Sequence, residues 1–380
     1  PLQGARSQTP TRDSEPRVSD VPATAAGQIT TSPQRTNKLV WVGAALAVVV
    51  IAVIVYLIIP FGSASGFTLI VKGAPKGSKV RINETLREGS VGGGGITISG
   101  VDPGNVNVRV SHEGFADFTT TITGAKGETQ TCEAQLLPEI EYSGEMVPIP
   151  AGEFSMGDDG HQDERPAHPV KLPAYYIDKY EVSNAQYKKF CDATGHAPPG
   201  NPGWDPNYFE GKPEYPVLGV TIDDALAYAE WVGKRLPTEE EWEKAASWDS
   251  EAHRKRLYPW GDDFAEGHAN IASGHPVAVS DSNGDRSPYG VCNMAGNAFE
   301  WVNAAWEPYE GNKSPTLDFS KDEIVFRGGG FPTAADTARG SYRNHLPKVF
   351  PKGKSVPIGI RCVVPANDRR IQQQLEERNK

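Results

Sequence analysis

The sequence predicts an α+β domain with sparse regular structure, preceded by a small all-β sandwich and one transmembrane helix. An uncharged run of Val, Ala, Ile and Leu near the start predicts the transmembrane helix. Short segments that alternate apolar and polar residues between turns follow this run and predict the sandwich. The remainder carries a few helix-start signals separated by stretches rich in Gly, Pro and Asn, and this combination predicts the α+β domain.

Composition and charge limit the classes of function. The 380-residue chain is long enough for more than one domain, and its 40 glycines and 31 prolines favour many turns. A formal net charge of −10 without a basic cluster argues against a nucleic-acid partner. Four cysteines are too few for a disulfide scaffold. The chain starts with Pro and shows no secretory signal with a cleavage site, so we expect it to be processed or part of something longer.

The N-terminal region is predicted to cross a membrane once. Residues 1–38 are rich in Ser, Thr, Pro and charged residues and are expected to form a disordered tail. Residues 39–60 are long and apolar enough to span a bilayer, and a buried core helix is the alternative. Arg35 and Lys38 precede the span, whereas the next basic residue is Lys72. This asymmetry places the N-terminus in the cytoplasm and the later domains on the other side.

Residues 66–138 are predicted to form a small antiparallel β-sandwich. The segments FTLIVKG, KVRIN, GITISG and FTTTITG read as strands between turns. The stretch VDPGNVNVRVSHEGF resembles a PEGA domain, a module common on bacterial surface proteins. The resemblance implies a spacer or a docking surface. Together with the predicted span, it implies a bacterial membrane protein whose domains lie in the periplasm or outside the cell.

Residues 144–365 are predicted to form the α+β domain. Ser183 and Gln186 form a capping box at the start of a helix that Gly195 ends. A second helix is expected to begin at Thr221. A further capping box is predicted over residues 238–241. Residues 366–380 are polar and are expected to form a frayed tail or a short surface helix.

Six short motifs resemble the formylglycine-generating enzyme, or sulfatase-modifying factor, family. In chain order they are PTEEEW (237–242), YPWGDD (258–263), SPYG (287–290), NMAGNAFEW (293–301), FRGGG (326–330) and GIRC (359–362). The resemblance implies a large variant of the C-type-lectin-like α+β architecture, with few helices and long ordered loops.

The NMAGNAFEW stretch carries the predicted metal site. Ca²⁺ prefers several oxygen ligands from carboxylates, amides and main-chain carbonyls. The resemblance implies a structural calcium site in this stretch, formed by Asn293, Gly296, Ala298 and Glu300. The alternative is that Asn293 and Glu300 only hydrogen-bond to neighbouring main chain. A second, weaker calcium site is implied at Asn270 and Ile271, where Asp281 could supply the missing carboxylate.

The catalytic centre of the enzymes is predicted to be absent. The resemblance implies two copper-binding cysteines after the RGG motif, and soft thiolates are the ligands that Cu(I) selects. Here those places hold Thr333 and a residue near Ala338, and Gly330 replaces the active-site serine. No cysteine lies between Cys292 and Cys362, so no copper is expected.

The sequence leaves the pairing of Cys362 open and favours no metal site besides the two calcium sites. Cys362 matches a half-cystine of the family whose partner position is Ala229, so it is a free buried thiol or pairs with Cys191 or Cys292. A branch of the family that binds iron takes histidines from an N-terminal helical bundle, which this chain lacks. His161 and the other residues of the acidic loop 158–165 could attract a cation, but a solvated loop is favoured.

Three functions compete at this point. The favoured one is a membrane-anchored, extracytoplasmic binding or scaffold protein with a non-catalytic head, part of a larger envelope complex, with protein partners and a possible peptide or glycan ligand. The alternatives are the sensor ectodomain of a bacterial receptor Ser/Thr kinase and a metal-dependent oxidase with altered chemistry. The chain contains no VAIK, HRD or DFG motif and cannot itself phosphorylate. Six aromatic residues could form the ligand surface or belong to the core: Trp204, Tyr208, Phe209, Trp306, Phe331 and Tyr342.

Overall fold

The computed structural model describes residues 66–92, 95–137, 144–201, 203–314, 317–349 and 357–378. The predicted tail 1–38 and the predicted span 39–60 lie outside these ranges. Within the part of the chain that the structure describes, no helix combines the length and the apolar character that a membrane crossing needs.

The sandwich consists of two four-stranded sheets, with strand orders β4-β5-β1-β8 and β3-β2-β6-β7. Its strands are β1 (Phe67–Lys72), β2 (Lys79–Ile82), β3 (Thr85–Arg87), β4 (Ser90–Gly92), β5 (Gly95–Val101), β6 (Gly104–Ser111), β7 (Phe118–Gly124) and β8 (Thr129–Glu133). Alternate residues of β1 are buried, and they meet buried residues of the facing sheet in one apolar core. The period-two pattern therefore reports the buried face correctly.

The prediction of a purely antiparallel sandwich was wrong. Strand β8 pairs with β1 in parallel, from Thr68 opposite Thr129 to Lys72 opposite Glu133. The chain leaves one sheet after β7 and enters the other at β8, so β8 arrives beside β1 in the same direction. Turn residues in a sequence indicate hairpins between successive strands, but they do not indicate that the chain passes from one sheet to the other between β7 and β8.

The larger domain combines short strands with few helices, as predicted. Its first half contains β9 (Met146–Ile149), β10 (Gly152–Met156), β11 (His168–Leu172), β12 (Tyr175–Asp178), α1 (Asn184–Thr194), α2 (Tyr208–Gly211), α3 (Ile222–Trp231), α4 (Glu239–Ser247), β13 (Trp248–Asp249) and β14 (Arg254–Lys255). Its second half contains β15 (Phe299–Trp306), β16 (Ser320–Arg327), a 3₁₀ helix (Ala335–Ala338), β17 (Arg343–Pro347), β18 (Ile358–Gly359), β19 (Val363–Pro365) and α5 (Arg369–Arg378).

The three longer helices of the domain core begin at the predicted residues. Ser183, Thr221 and Thr238 each accept a hydrogen bond from the third helical N–H, and the acidic or amide side chain at that position bonds back. Gly195 ends α1 in the left-handed region at φ 75°. Each such cap contributes about 1 kcal/mol to helix stability.

The sheet β17-β16-β15-β18 positions the candidate site. Strand β15 begins directly after the 293–298 turn, and β16 ends directly before Gly328. The two loops touch, because the Phe331 N–H donates to the carbonyl of Asn297 at 3.0 Å. The 293–298 turn and the loop after Arg327 therefore lie side by side.

The polar C-terminal segment forms a helix that contacts the domain through Ile371 and Arg370. Ile371 in α5 is fully buried and packs with Met146, Tyr176 and Val364. The prediction of a short surface helix agrees with α5, but the polar composition of the segment did not indicate that Ile371 would be buried.

Candidate functional site

The turn at residues 293–298 depends on two left-handed asparagines. Asn293 has φ 59° and Asn297 has φ 67°, a region that asparagine tolerates better than most residues. The Asn297 N–H donates to the carbonyl of Asn270 at 2.9 Å, and Asn270 Nδ2 lies 3.1 Å from Asn297 Oδ1. The structure therefore brings the two predicted calcium segments into direct contact.

Both asparagines of the turn bind one buried carboxylate, Glu181. Asn293 Nδ2 and Asn297 Nδ2 donate to its two oxygens, each at 2.8 Å. Burial raises the pKa of Glu181 to about 8, with Glu300 adding to the rise and Arg361 opposing it. Sequence reasoning missed Glu181, because a single acid just before a helix cap carries no periodic or motif signal.

Glu300 is held by a second set of contacts. The Arg361 guanidinium binds both of its oxygens, at 2.7 Å from Nη2 to Oε1 and 2.9 Å from Nε to Oε2. Trp242 Nε1 donates to Oε2 at 2.6 Å. Arg361 also donates to the carbonyls of Asp178 and Cys292. Glu300 thus joins the start of β15 to the GIRC segment and to helix α4.

Several buried carboxyl groups lie around the turn. Asp285 is buried, and its Oδ2 accepts from the Ala295 N–H at 2.8 Å while its Oδ1 has no hydrogen-bond partner among the described residues. Burial raises the pKa of Asp285 to about 7, and Glu300 adds to the rise. Glu181, Asp285 and Glu300 therefore share Arg361 as a common compensating charge. Carboxylate and amide oxygens are donors that Ca²⁺ prefers, so the residue types of this region are compatible with the ion that the family resemblance implies.

The other predicted ligands of the two calcium sites have local roles in the structure. The Gly296 carbonyl accepts from the Ala298 N–H at 2.9 Å. The Ile271 N–H donates to the Ala269 carbonyl at 3.0 Å. Asp281 is exposed. Asn270 Nδ2 donates to the His275 carbonyl at 3.2 Å, which ties this loop together.

The loop after Arg327 contains two threonine hydroxyls that contact each other. The oxygens of Thr333 and Thr337 are 2.7 Å apart, and Thr333 also closes a turn onto Gly330. Ala338 is fully buried. Thr337, the residue before Ala338, supplies the second hydroxyl of this pair. A Cβ at Gly330 would lie 3.1 Å from a ring carbon of Phe299, so a serine there needs that ring to shift.

The aromatic residues proposed as a ligand surface divide between core and solvent. Tyr208, Trp306 and Phe331 are buried, whereas Trp204 is 41% exposed. Trp204 packs edge-on against Tyr208 and Phe331, with ring centroids 4.9 and 5.6 Å apart. Phe209 and Tyr342 are partly buried against the core. Trp204 is thus the member of the set that a ligand can reach, and it lies against the residue that follows Gly330.

The acidic loop 158–165 is solvated only in part. Glu164 is buried, and Arg339 binds both of its oxygens at 2.6 and 2.7 Å. Side chains of Asp158, His161 and Glu164 come within 4.8 Å of one another, but the Arg339 guanidinium lies among them and opposes a bound cation. The prediction of a fully solvated loop was therefore wrong at Glu164, whose partner is distant in sequence.

The cysteines Cys132, Cys191, Cys292 and Cys362 are all free. Cys362 is buried, which confirms the interpretation as a free thiol, and burial raises its pKa well above the ordinary value.

Comparison with known families agrees with this architecture. A family profile described as the sulfatase-modifying factor enzyme 1-like domain matches residues 134–366. The chain belongs to this family. A PEGA-domain profile matches residues 67–140, so the sandwich is a PEGA domain. The α+β domain is called the sulfatase-modifying-factor head below.

Three curated relatives illustrate the range of proteins that carry such a domain. The formylglycine-generating enzyme of Bos taurus is 33% identical over 288 residues, covering 57% of this chain and 74% of that enzyme. The hercynine oxygenase of Mycolicibacterium smegmatis is 32% identical, covering 53% of this chain and 58% of that protein. The serine/threonine-protein kinase pkn1 of Chlamydia pneumoniae is 32% identical, covering 57% of this chain and 37% of the kinase. The chain therefore spans only part of the last two proteins.

Proposed function

We propose that this chain is a membrane-anchored, extracytoplasmic binding or scaffold protein whose sulfatase-modifying-factor head does not perform copper chemistry. The observation that carries the proposal is the Thr333–Thr337 hydroxyl pair in the loop where the family resemblance implies two thiols. Hydroxyl groups are hard ligands and do not replace thiolates for Cu(I). The head then keeps the family's framework and uses its surface for recognition.

The binding surface of the proposal is centred on Trp204. An exposed indole beside the Gly330 loop can stack on a peptide side chain or on the apolar face of a sugar. Buried Tyr208 and Phe331 hold the indole from below, so little conformational freedom is lost when a ligand binds.

Metal analysis and a substrate assay test the non-catalytic part of the proposal. Protein purified from native membranes is expected to contain neither copper nor iron and to leave a cysteine-containing peptide unconverted. Copper in the Gly330 loop, or an aldehyde in the peptide, would overturn the proposal in favour of an oxidase with altered chemistry.

Replacing Trp204 with Ala is expected to weaken capture of the envelope partner about thirtyfold, because a central tryptophan contributes roughly 2 kcal/mol or more to an interface. The measurement is crosslinking and co-purification from native membrane. Trp231 is the matched control, since it is 42% exposed on helix α3. Equal capture by wild type and Trp204→Ala would remove Trp204 from the binding surface, and equal loss in Trp231→Ala would indicate a non-specific effect.

The proposed location is a bacterial membrane, with a cytoplasmic N-terminus and both folded domains periplasmic or extracellular. The uncharged run 39–59 and the preceding Arg35 and Lys38 support this topology. The PEGA domain then acts as a spacer between the membrane and the head. Reporter fusions on either side of residues 39–60 test it, and a reporter active in the cytoplasm after residue 60 would contradict it.

A second candidate is the sensor region of a receptor kinase. It is supported by the chlamydial kinase, whose similarity to this chain covers 37% of its length. A kinase domain encoded in frame before residue 1 would favour this candidate over a free-standing scaffold.

We further propose that the head binds a structural calcium ion at the 293–298 turn. Asn293, Gly296, Ala298 and Glu300 are the ligands that the resemblance implies. A cation near the buried carboxyl groups of Glu181 and Asp285 would favour their ionised forms, which burial disfavours, and this supports the proposal. When bound, the ion would also hold a long loop whose ordering is entropically costly.

Replacing Asp285 with Asn tests the charge argument, because it removes one buried carboxylate whose Oδ1 lacks a partner. Wild type is expected to gain about 2–3 kcal/mol of unfolding free energy from calcium at one hundred times its dissociation constant. Asp285→Asn is expected to be more stable than wild type in chelator and to gain less from calcium. Chemical denaturation with and without calcium measures both quantities.

Exposed Asp281 provides the control for this test, since Asp281→Asn should behave as wild type. An unchanged unfolding free energy of wild type on adding calcium would contradict the calcium proposal. If calcium raises the unfolding free energy of Asp285→Asn as much as that of wild type, Asp285 does not contribute to calcium binding.

A further inference from the structure

Among the residues that the structure describes, Lys244 has no carboxylate partner although its ammonium group is buried. It lies on helix α4 and is 2% exposed. Its Nζ donates to the carbonyls of Pro150 and Gly152, at 2.7 and 3.1 Å. Burial alone lowers its pKa to about 8. Two other lysines of the head differ, since the partly buried Lys255 pairs with Glu243 and the buried Lys234 pairs with Asp178.

Lys244 lines a cleft of about 680 Å³ between the PEGA domain and the head. Residues of β7 form one wall, and the turn before β10 forms the other. The two domains also touch directly beside the cleft, where Arg109 Nη2 lies 3.4 Å from Glu251 Oε1 and Thr121 Oγ1 donates to the Glu251 carbonyl at 3.2 Å. These contacts hold the walls of the cleft together.

The chemistry of the cleft selects a particular ligand. An ammonium group has three N–H donors, and the two carbonyls account for two of them. A buried charge without a counter-ion is costly, and an anion that accepts the third hydrogen bond would remove that cost. Glu133 and Glu153 also line the cleft, so a dianion would meet repulsion there. Phe118 and Trp248 offer apolar walls for the remainder of the ligand.

We propose that this cleft binds a monoanionic carboxylate attached to an apolar group, with Lys244 as its counter-ion. The cleft is separate from the Trp204 surface and from the 293–298 turn. Binding at Lys244 therefore goes beyond the function proposed above, and either proposal can fail without the other.

The test uses phenylacetate, its neutral analogue phenylacetamide, and inorganic phosphate as probes of the full chain in mild detergent. Ligand-observed NMR titration measures the dissociation constants. Phenylacetate is expected to bind at least tenfold more tightly than phenylacetamide or phosphate. Equal binding of the acid and the amide would overturn the role of Lys244, and tighter binding of phosphate would overturn the choice of a monoanion.

Two substitutions at Lys244 complete the test. Lys244→Met is expected to abolish the preference for phenylacetate over phenylacetamide, whereas Lys244→Arg keeps the charge and is expected to retain a preference. Lys171→Met is the matched control, because Lys171 is exposed on β11 and does not line the cleft. An undiminished preference in folded Lys244→Met would overturn the proposal. If Lys244→Met does not fold, loss of the preference in Lys244→Arg, or its absence in wild type, overturns it instead.

Discussion

Replacing Glu300 with Gln is expected to lower the free energy of unfolding by about 3–5 kcal/mol, the cost of breaking a buried ion pair by removing one partner. Arg361 is fully buried, and Glu300 is the carboxylate that contacts it through both oxygens. In the variant the guanidinium stays buried and loses the carboxylate that binds it directly. Trp242 Nε1 also loses a charged acceptor. Chemical denaturation monitored by circular dichroism measures the loss.

A surface pair and a double substitution make this result interpretable. Glu307 pairs with Lys321, and both side chains are at least half exposed, so Glu307→Gln is expected to change stability by less than about 1 kcal/mol. Adding Arg361→Met to Glu300→Gln is expected to recover part of the loss, because the unpaired charge disappears. A loss below about 1 kcal/mol in Glu300→Gln would show that the pair does not stabilise the fold.

Replacing Arg327 with Met is the second change with a large expected effect, again about 3–5 kcal/mol of unfolding free energy. Arg327 is fully buried and binds Glu239 at 2.8 Å and Glu243 at 2.6 Å. It also donates to the Gly340 carbonyl at 2.9 Å, and its guanidinium lies over the Trp242 ring at 5.2 Å. Methionine fills much of the volume but leaves two buried carboxylates short of positive charge.

The comparison for Arg327 is Arg254, whose ion pair with Asp262 is about half exposed on both sides. Arg254→Met is expected to cost less than about 1 kcal/mol, because solvent screens an exposed pair. Thermal and denaturant unfolding of both variants gives the difference. Equal losses of unfolding free energy in the two variants would mean that the buried ion pairs of Arg327 stabilise the fold no more than an exposed pair does.

The local features of the head were predictable because they depend on residues close in sequence. A capping box joins a hydroxyl to an N–H three residues later, so the sequence pattern identifies Ser183, Thr221 and Thr238 as helix N-caps. The strands of the sandwich follow from alternation within single segments. The family likewise follows from short motifs, and the profile match over residues 134–366 confirms it.

The composition of the candidate site was only partly predictable. The motif pointed to Asn293 and Glu300, but Glu181 carries no pattern, and the GIRC motif that contains Arg361 did not reveal that this residue pairs with Glu300. The resemblance indicated Thr333 and a residue near Ala338, and the structure shows the Thr337 hydroxyl 2.7 Å from that of Thr333. Sequence spacing alone does not report that these two hydroxyls meet.

By itself, the sequence determined where helices and strands begin, which family the head belongs to, and that no cysteine lies between Cys292 and Cys362. The tertiary structure decided which aromatic residue remains exposed, how three buried carboxylates come to share Arg361, and that Lys244 lines a cleft without a counter-ion. The first group rests on interactions within a few residues, which a sequence records directly. The second depends on contacts such as that between Asn293 and Glu181, 112 residues apart, which form only when the whole chain is packed.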